Sequence, residues 1–371
     1  MPVNSLLVIS NGHGEDSIAA EIVRRLPETI EIAAYPTLGD GRAYDGVCPI
    51  VGPRRHLPSE GERRRGSLWR DALAGFGIGE ALRFMRREAR SFDAIIVVGD
   101  MLGVVMCWLG GCRARIYLDV YKTGYANRYS ALERWIIRRS CDLVLTRDDI
   151  LAAQLAASGV NARCAGNVMM DALVAGDYDA TSRRRHERAI AILPGSRASA
   201  PANFALQAAA LRRVPGVAGV DLFAALSKGA DPAALAEAAG LGWTPPDRIA
   251  GDRGTFTGDL TVHLSSGSLG AVLATADLVL GQGGTANMQA LGLGKPVVSF
   301  LAENATGSRR KRNAALTGDS RIVTDRSPEA IAAAVTHLLA DDADRLRRGA
   351  IGRERIGPPG AIDAIIAELT R

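Results

Sequence analysis

Short aliphatic, β-branched runs recur along this chain, and most stop at a glycine-containing polar loop before a helically spaced segment begins. Segments 6–10, 31–35, 93–98, 114–118 and 143–146 read as strands in the first half. Segments 189–193, 220–225, 261–264, 278–281 and 297–300 do so in the second. Helical spacing appears at 17–26, 130–139, 269–276, 286–293, 329–339 and 361–369, and a further helix starts near Pro201. Strands that alternate with helices imply βαβ units and parallel sheets covered on both faces. The series ends near Gly166-Asn167 and restarts at 189. Between them, 176–187 (GDYDATSRRRHE) has no periodic apolar face and reads as a linker. The 371 residues therefore read as two doubly wound α/β domains, 1–172 and 188–355.

Charge and cysteine content narrow the partners only partly. The formal net charge is +5 and the pI about 9.1, an excess that suits nucleotide phosphates and anionic lipid alike. No aromatic platform or recognition-helix motif accompanies it, so no nucleic-acid partner is expected. The five cysteines form no CxxC pair and have no histidine at zinc spacing, which fits free thiols of a reducing cytoplasm. The start, MPVNSLLVIS, lacks a basic leader, and the longest apolar stretch, 95–112, is broken by Asp100 and four glycines. A cytoplasmic protein is expected, with membrane contact at most peripheral, on the inner face.

Four loops carry candidate chemistry. Gly281-Gln282-Gly283-Gly284-Thr285-Ala286-Asn287 follows a strand and opens a helix. Glycines let a ligand approach the backbone, Thr285 can cap the helix, and the first N–H groups can receive a diphosphate. A tight turn with no ligand would use the same residues. The spacing matches neither a dinucleotide fingerprint nor a P-loop. Leu193-Pro194-Gly195-Ser196-Arg197 lies at the end of the second half's first strand, where Arg197 could reach the same phosphates or simply face solvent. After the first strand come Asn11-Gly12-His13-Gly14-Glu15-Asp16, in which His13 is placed for general-base work or is a structural histidine, and Glu15 and Asp16 favour the helix dipole. Asp100 ends the strand 93–98, as an acid–base group or as the N-cap of the next helix.

Taken in order, SNGHGED (10–16), VGD (98–100), GNVMMD (166–171), ILPGSR (192–197) and GTANMQALGLGKPVVSF (284–300) resemble the lipid-A-disaccharide synthase family, and more closely its "related" branch. More distantly, the chain resembles the lipid II-forming transferase and the diacylglycerol glycosyltransferases. The resemblance spans nearly the whole chain. It implies the GT-B fold, two Rossmann-like domains facing each other across a cleft, with the last helix, 360–371, crossing back to the first domain. It also implies a UDP-sugar donor on the second half, held by Gly195, Ser196, Arg197, Gly283, Gly284, Thr285, Ala286 and Asn287, and an acceptor entering along Asn11, Gly12, Gly14 and Glu15. The base falls on Asp100 or His13. Where true synthases have an acid in the helix after the Gly-Thr turn, this chain has Gln289, whose amide can hydrogen-bond sugar or ribose hydroxyls.

The expected reaction is inverting sugar transfer without metal or other cofactor, because backbone N–H groups and Arg197 would stabilise the departing diphosphate. The segment 54–90 interleaves arginines with aromatics and suits an anionic membrane that presents a lipid or lipid-linked acceptor. Trp69, Phe76, Arg83, Phe84, Arg86 and Arg87 are its membrane-facing candidates, and a helix pair packed on the sheet is the plainer alternative. The run Arg309-Arg310-Lys311-Arg312 reads as a solvated loop that could also neutralise donor phosphates. Two further functions fit the pattern: a UDP-N-acetylglucosamine 2-epimerase-like enzyme, which needs no lipid, and a non-catalytic nucleotide-sugar or anionic-lipid binding protein.

Overall fold

The computed structural model describes residues 3–53, 78–246, 250–301 and 307–370. It divides into two compact units, one of Met1–Ala172 with Pro359–Arg371 and one of Leu173–Pro358. The first is built on a six-stranded sheet of β1 (Ser5–Ser10), β2 (Glu31–Pro36), β3 (Ala94–Gly99), β4 (Ala114–Asp119), β5 (Cys141–Thr146) and β6 (Ala162–Cys164). The strand order is β2-β1-β3-β4-β5-β6 and every pairing is parallel. Successive side chains of β1 enter opposite cores. Leu6 and Val8 pack with Ala19 and Ile22, while Leu7 and Ile9 pack with Tyr35, Met85 and Val104. A strand buried on both faces needs an unbroken apolar run, which is why LLVI lacks polar alternation.

The last helix, Ala361–Leu369, belongs to this unit and buries Ala361, Ile362, Ile365 and Leu369 in the core of Leu6 and Val8. Asp171 fixes its start by accepting the backbone N–H of Gly360 at 2.7 Å and of Ile362 at 3.1 Å.

The second unit holds β7 (Arg188–Leu193), β8 (Val220–Leu226), β9 (Gly242–Thr244), β10 (Asp252–Thr257), β11 (Val262–Ser266), β12 (Leu278–Gly281), β13 (Val297–Phe300) and β14 (Arg321–Thr324). Their order is β14-β13-β12-β7-β8-β11-β10-β9. The sheet is parallel except at one edge, where β10 pairs antiparallel with both β9 and β11. That edge departs from the all-parallel expectation. Strands β6, β9, β10 and β14 and the helix Asp342–Ile356 had no clear aliphatic signal: β9 is exposed throughout, and the helix is rich in arginine and acids.

Segment 176–187 is not a linker; it is strapped to the second unit. Asp179 caps the short helix Ala180–Arg183. Arg183 pairs with Asp252 at 2.6 Å and Arg184 with Asp277 at 2.9 Å. The backbone N–H groups of Arg185 and His186 reach Asp221 Oδ2 at 2.7 and 2.6 Å. The segment has no apolar stripe, and ion pairs and backbone bonds hold it alongside the buried Tyr178 and Ala180.

Candidate functional site

In an open α/β sheet, ligands bind beyond the carboxyl ends of the strands at the point where the strand order reverses. In the first sheet that point lies between β1 and β3, since β2 takes one side of β1 and β3 the other. The loops leaving these two strands meet there. Asn11 Nδ2 donates to Asp100 Oδ1 at 2.7 Å, and the Leu102 N–H donates to the same oxygen at 2.8 Å. Asp100 is thus both the N-cap of helix Met101–Gly110 and a half-buried acid at the reversal point. Gly99 makes the junction possible. Its φ is +142°, and a Cβ there would lie 2.0 Å from Asn11 Oδ1.

Gly12 is the N-cap of helix His13–Arg25, which receives no side-chain cap. Gly14 and Glu15 lie in its first turn, and the side chain of His13 is outside what is described. Burial pushes the Glu15 carboxyl above its usual range, and nearby Asp100 and Asp16 push the same way. Asp16 is buried, accepting from Ser10 Oγ at 2.6 Å, which in turn lies 2.7 Å from the Tyr44 hydroxyl. It anchors the helix. Glu15 and Asp100 are the other two acids of this loop pair, both half-buried.

The second sheet reverses between β7 and β12, because β8 lies on one side of β7 and β12 on the other. The predicted donor loops, after Leu193 and after Gly281, leave from these strands. The Gln282 N–H donates to Leu193 O at 2.8 Å, and a Cβ on Gly195 would sit 3.6 Å from Gln282 O, so the two loops touch. Ser196 and Arg197 are exposed beside them. Helix Thr285–Gly292 has Gly284 at its N-cap with no side-chain cap; Thr285 is its first residue and does not cap it. A glycine cap leaves the turn free of side-chain bulk, and first-turn N–H groups have no intrahelical partner. Gly283 and Ala286 are half-buried, and Gly284 and Thr285 are exposed at this turn.

Two predicted donor residues serve the turn from within. Asn287 is fully buried and donates Nδ2 to Gly281 O at 3.0 Å. A Cβ on Gly281 would lie 2.2 Å from its Oδ1, so glycine is required there. Gln289 is 6% exposed and likewise faces the protein. Both amides are buried rather than exposed at the turn, that of Asn287 because its side chain reaches back to the strand end. Gln207, which sequence reasoning missed, is fully buried and spans both strands, donating to Leu280 O at 3.0 Å and Leu193 O at 3.4 Å. Gln282 Nε2 reaches Phe300 O at 3.1 Å and ties in β13.

A second cluster at the carboxyl edge of the first sheet also went unread. Buried Asp119, at the end of β4, accepts from the Tyr129 hydroxyl at 2.5 Å and from the N–H groups of Tyr121 and Lys122 at 2.9 Å. The Tyr117 and Tyr129 hydroxyls lie 2.9 Å apart. Burial raises the Asp119 carboxyl above its ordinary range, opposed by these bonds and by Arg147. Arg147 follows β5, is buried, and has no hydrogen-bond partner at Nε or Nη2. The available signal was an acid ending an aliphatic strand, as at Asp100.

Of the membrane-facing candidates, Trp69 and Phe76 lie outside the described residues. Phe84 is not membrane-facing: it is 3% exposed and packs on Tyr35 with ring centroids 4.7 Å apart. Arg83, Arg86 and Arg87 are exposed on the same helix, Ile78–Arg87, whose apolar face is turned into the core. Arg310, Lys311 and Arg312 are on a helix, Gly307–Thr317, rather than in a loop.

No protein-family model matches the sequence, and neither does any curated protein. Solved structures match the fold over almost its full length. A Listeria monocytogenes protein assigned as a UDP-N-acetylglucosamine 2-epimerase is 16% identical, with a TM-score of 0.59 over 98% of this chain and 95% of that one. UDP-GlcNAc 2-epimerase from Neisseria meningitidis, solved bound to UDP-GlcNAc, is 12% identical, with a TM-score of 0.57 over 98% and 99%. Acinetobacter baumannii MurG is 14% identical, with a TM-score of 0.57 over 98% of each. The chain thus has the fold class of these GT-B proteins, two Rossmann-like α/β domains in succession.

Proposed function

We propose that this protein is an inverting, metal-independent glycosyltransferase that moves a sugar from a UDP-sugar to a lipid or lipid-linked acceptor at a membrane surface, in the manner of lipid-A-disaccharide synthase-related enzymes. The observation that carries the reading is the uncapped N-terminus of helix Thr285–Gly292 at the reversal point of its sheet, beside the exposed loop of Arg197. Unpaired N–H groups and a guanidinium suit a diphosphate that gains charge as it leaves.

In this reading a base of the first unit, Asp100, His13 or Glu15, removes the acceptor hydroxyl proton. That oxygen bonds to the anomeric carbon as the bond to the diphosphate breaks and UDP departs. A raised Glu15 carboxyl sits closer to the range useful for proton transfer at neutral pH.

The same fold, in solved structures named as UDP-N-acetylglucosamine 2-epimerases, motivates a second reading: inversion at C2 of the donor without an acceptor. One experiment separates the two. The protein is incubated with a panel of UDP-sugars, with and without a lipid-extract acceptor and with excess EDTA. Transfer to lipid with release of UDP supports the transferase, and a new UDP-sugar epimer without acceptor supports the epimerase. Complete loss of activity in EDTA removes the metal-free claim. No turnover, with UDP still bound, leaves a binding protein.

A further inference from the structure

The described part of the 54–90 segment buries its aromatic residue, so any membrane contact of the first unit needs another surface. Two neighbouring helices provide one. Trp108 and Leu109, at the end of helix Met101–Gly110, are 37% and 40% exposed. Leu132 and Trp135, on helix Ala131–Ser140, are 65% and 42% exposed. The two indoles meet edge to face with ring centroids 5.6 Å apart, which joins the exposed faces of the two helices at Trp108 and Trp135. Leu132, Trp135 and Arg139 recur at three- and four-residue spacing and share one helix face.

Exposed apolar residues on a monomer are ordinarily scattered singly, whereas a contiguous patch marks an interaction site. The chemistry here is that of a bilayer interface. Tryptophan places an apolar body and a polar N–H at the headgroup boundary. Cations rim the patch. The Arg139 guanidinium lies 4.8 Å above the Trp135 ring, Arg86 donates to Leu109 O at 3.3 Å, and Arg90 donates to Gly110 O and Gly111 O at 3.0 and 3.1 Å. Exposed Arg83 and Arg87 continue the charge along the adjoining helix Ile78–Arg87, where Glu80 is the acid and Glu88 follows its end. Among the described residues no helix is long and apolar enough to cross a membrane, so the contact would be interfacial.

We infer that the Trp108–Trp135 face seats on an anionic lipid bilayer, the indoles and leucines entering the headgroup boundary and Arg86, Arg90 and Arg139 meeting lipid phosphates. The inference takes up the membrane part of the proposed function. Its test uses no sugar or nucleotide, so either can fail while the other stands.

The test is flotation of the full chain with vesicles of phosphatidylcholine alone or with phosphatidylglycerol added, at low and high salt. The wild type floats with the anionic vesicles, less as salt rises, and not with the neutral ones. Trp108→Ser with Trp135→Ser, and separately Arg86→Glu with Arg139→Glu, each lower partitioning on the order of tenfold or more. All four sites are at the surface, so circular dichroism and melting should match the wild type. Failure of the wild type to float overturns the inference, as does equal flotation of the folded variants. So does a dimer in sedimentation that dissolves in the tryptophan variant while lipid binding is absent, which would make a second copy the occupant.

Discussion

Asp100 combines two duties that substitution can separate. Asparagine caps helices as well as aspartate but takes no proton, so Asp100→Asn should leave unfolding free energy within about 0.5 kcal/mol of wild type. Under the proposed reaction it should slow turnover by roughly a hundredfold or more. Asp100→Ala loses the cap as well, at about 1 kcal/mol. Urea unfolding alongside UDP release checks both, and full turnover in Asp100→Asn would move the base to Glu15 or His13. Phe84 offers a second check. Its burial against Tyr35 predicts that Phe84→Ala costs about 3–5 kcal/mol, while Arg83→Ala and Arg87→Ala stay within about 0.5 kcal/mol, read by thermal melts. At this scale the sequence placed the residues but not their directions. Phe84 and Asn287 sit in segments read for function, yet both side chains turn inward, because a helix aims only some of its positions at solvent.

Among the elements, the aliphatic strands were legible because a strand with both faces buried writes an unbroken apolar run. Edge strands β9 and β14 were not, since exposure removes that requirement. The GNVMMD motif shows how function and architecture are confused at this level. It was matched as part of a family pattern, and its Asp171 holds the start of the last helix. Asp171→Ala should cost about 1–2 kcal/mol and raise hydrogen exchange across 360–369 ahead of the sheet, with no change in UDP affinity. Unchanged exchange there would detach the helix start from this cap. Segment 176–187 teaches the converse, since a mostly polar run is tied down by Asp221, Asp252 and Asp277 with only Tyr178 and Ala180 buried in the core.

For the molecule as a whole, two units with separate cores predict separable responses. If the donor binds the Leu173–Pro358 unit, UDP at a hundred times its dissociation constant should stabilise that unit by about 2.7 kcal/mol. Calorimetry with and without UDP reads this shift. Acid should act on the same unit. Arg348, with His337 and Arg347, holds the Asp344 carboxyl well below its usual range. A lowered folded value stabilises at all pH above the unfolded value near 4, and that contribution fades as pH falls below it. Asp344→Asn should therefore flatten the loss of stability below about pH 4 in pH-dependent melts.

The strand–helix alternation, the restart at 189 and the four polar loops are written in the linear chain, because periodicity and glycine placement are local properties. Folding in three dimensions brings the loops together in pairs, Asn11 with Asp100 and Gly195 with Gln282. It alone put Asp119 beside Tyr129 and joined Trp108 to Trp135. Strand order sets those neighbours, and strand order is fixed by packing between residues far apart in the chain rather than by any run of adjacent ones.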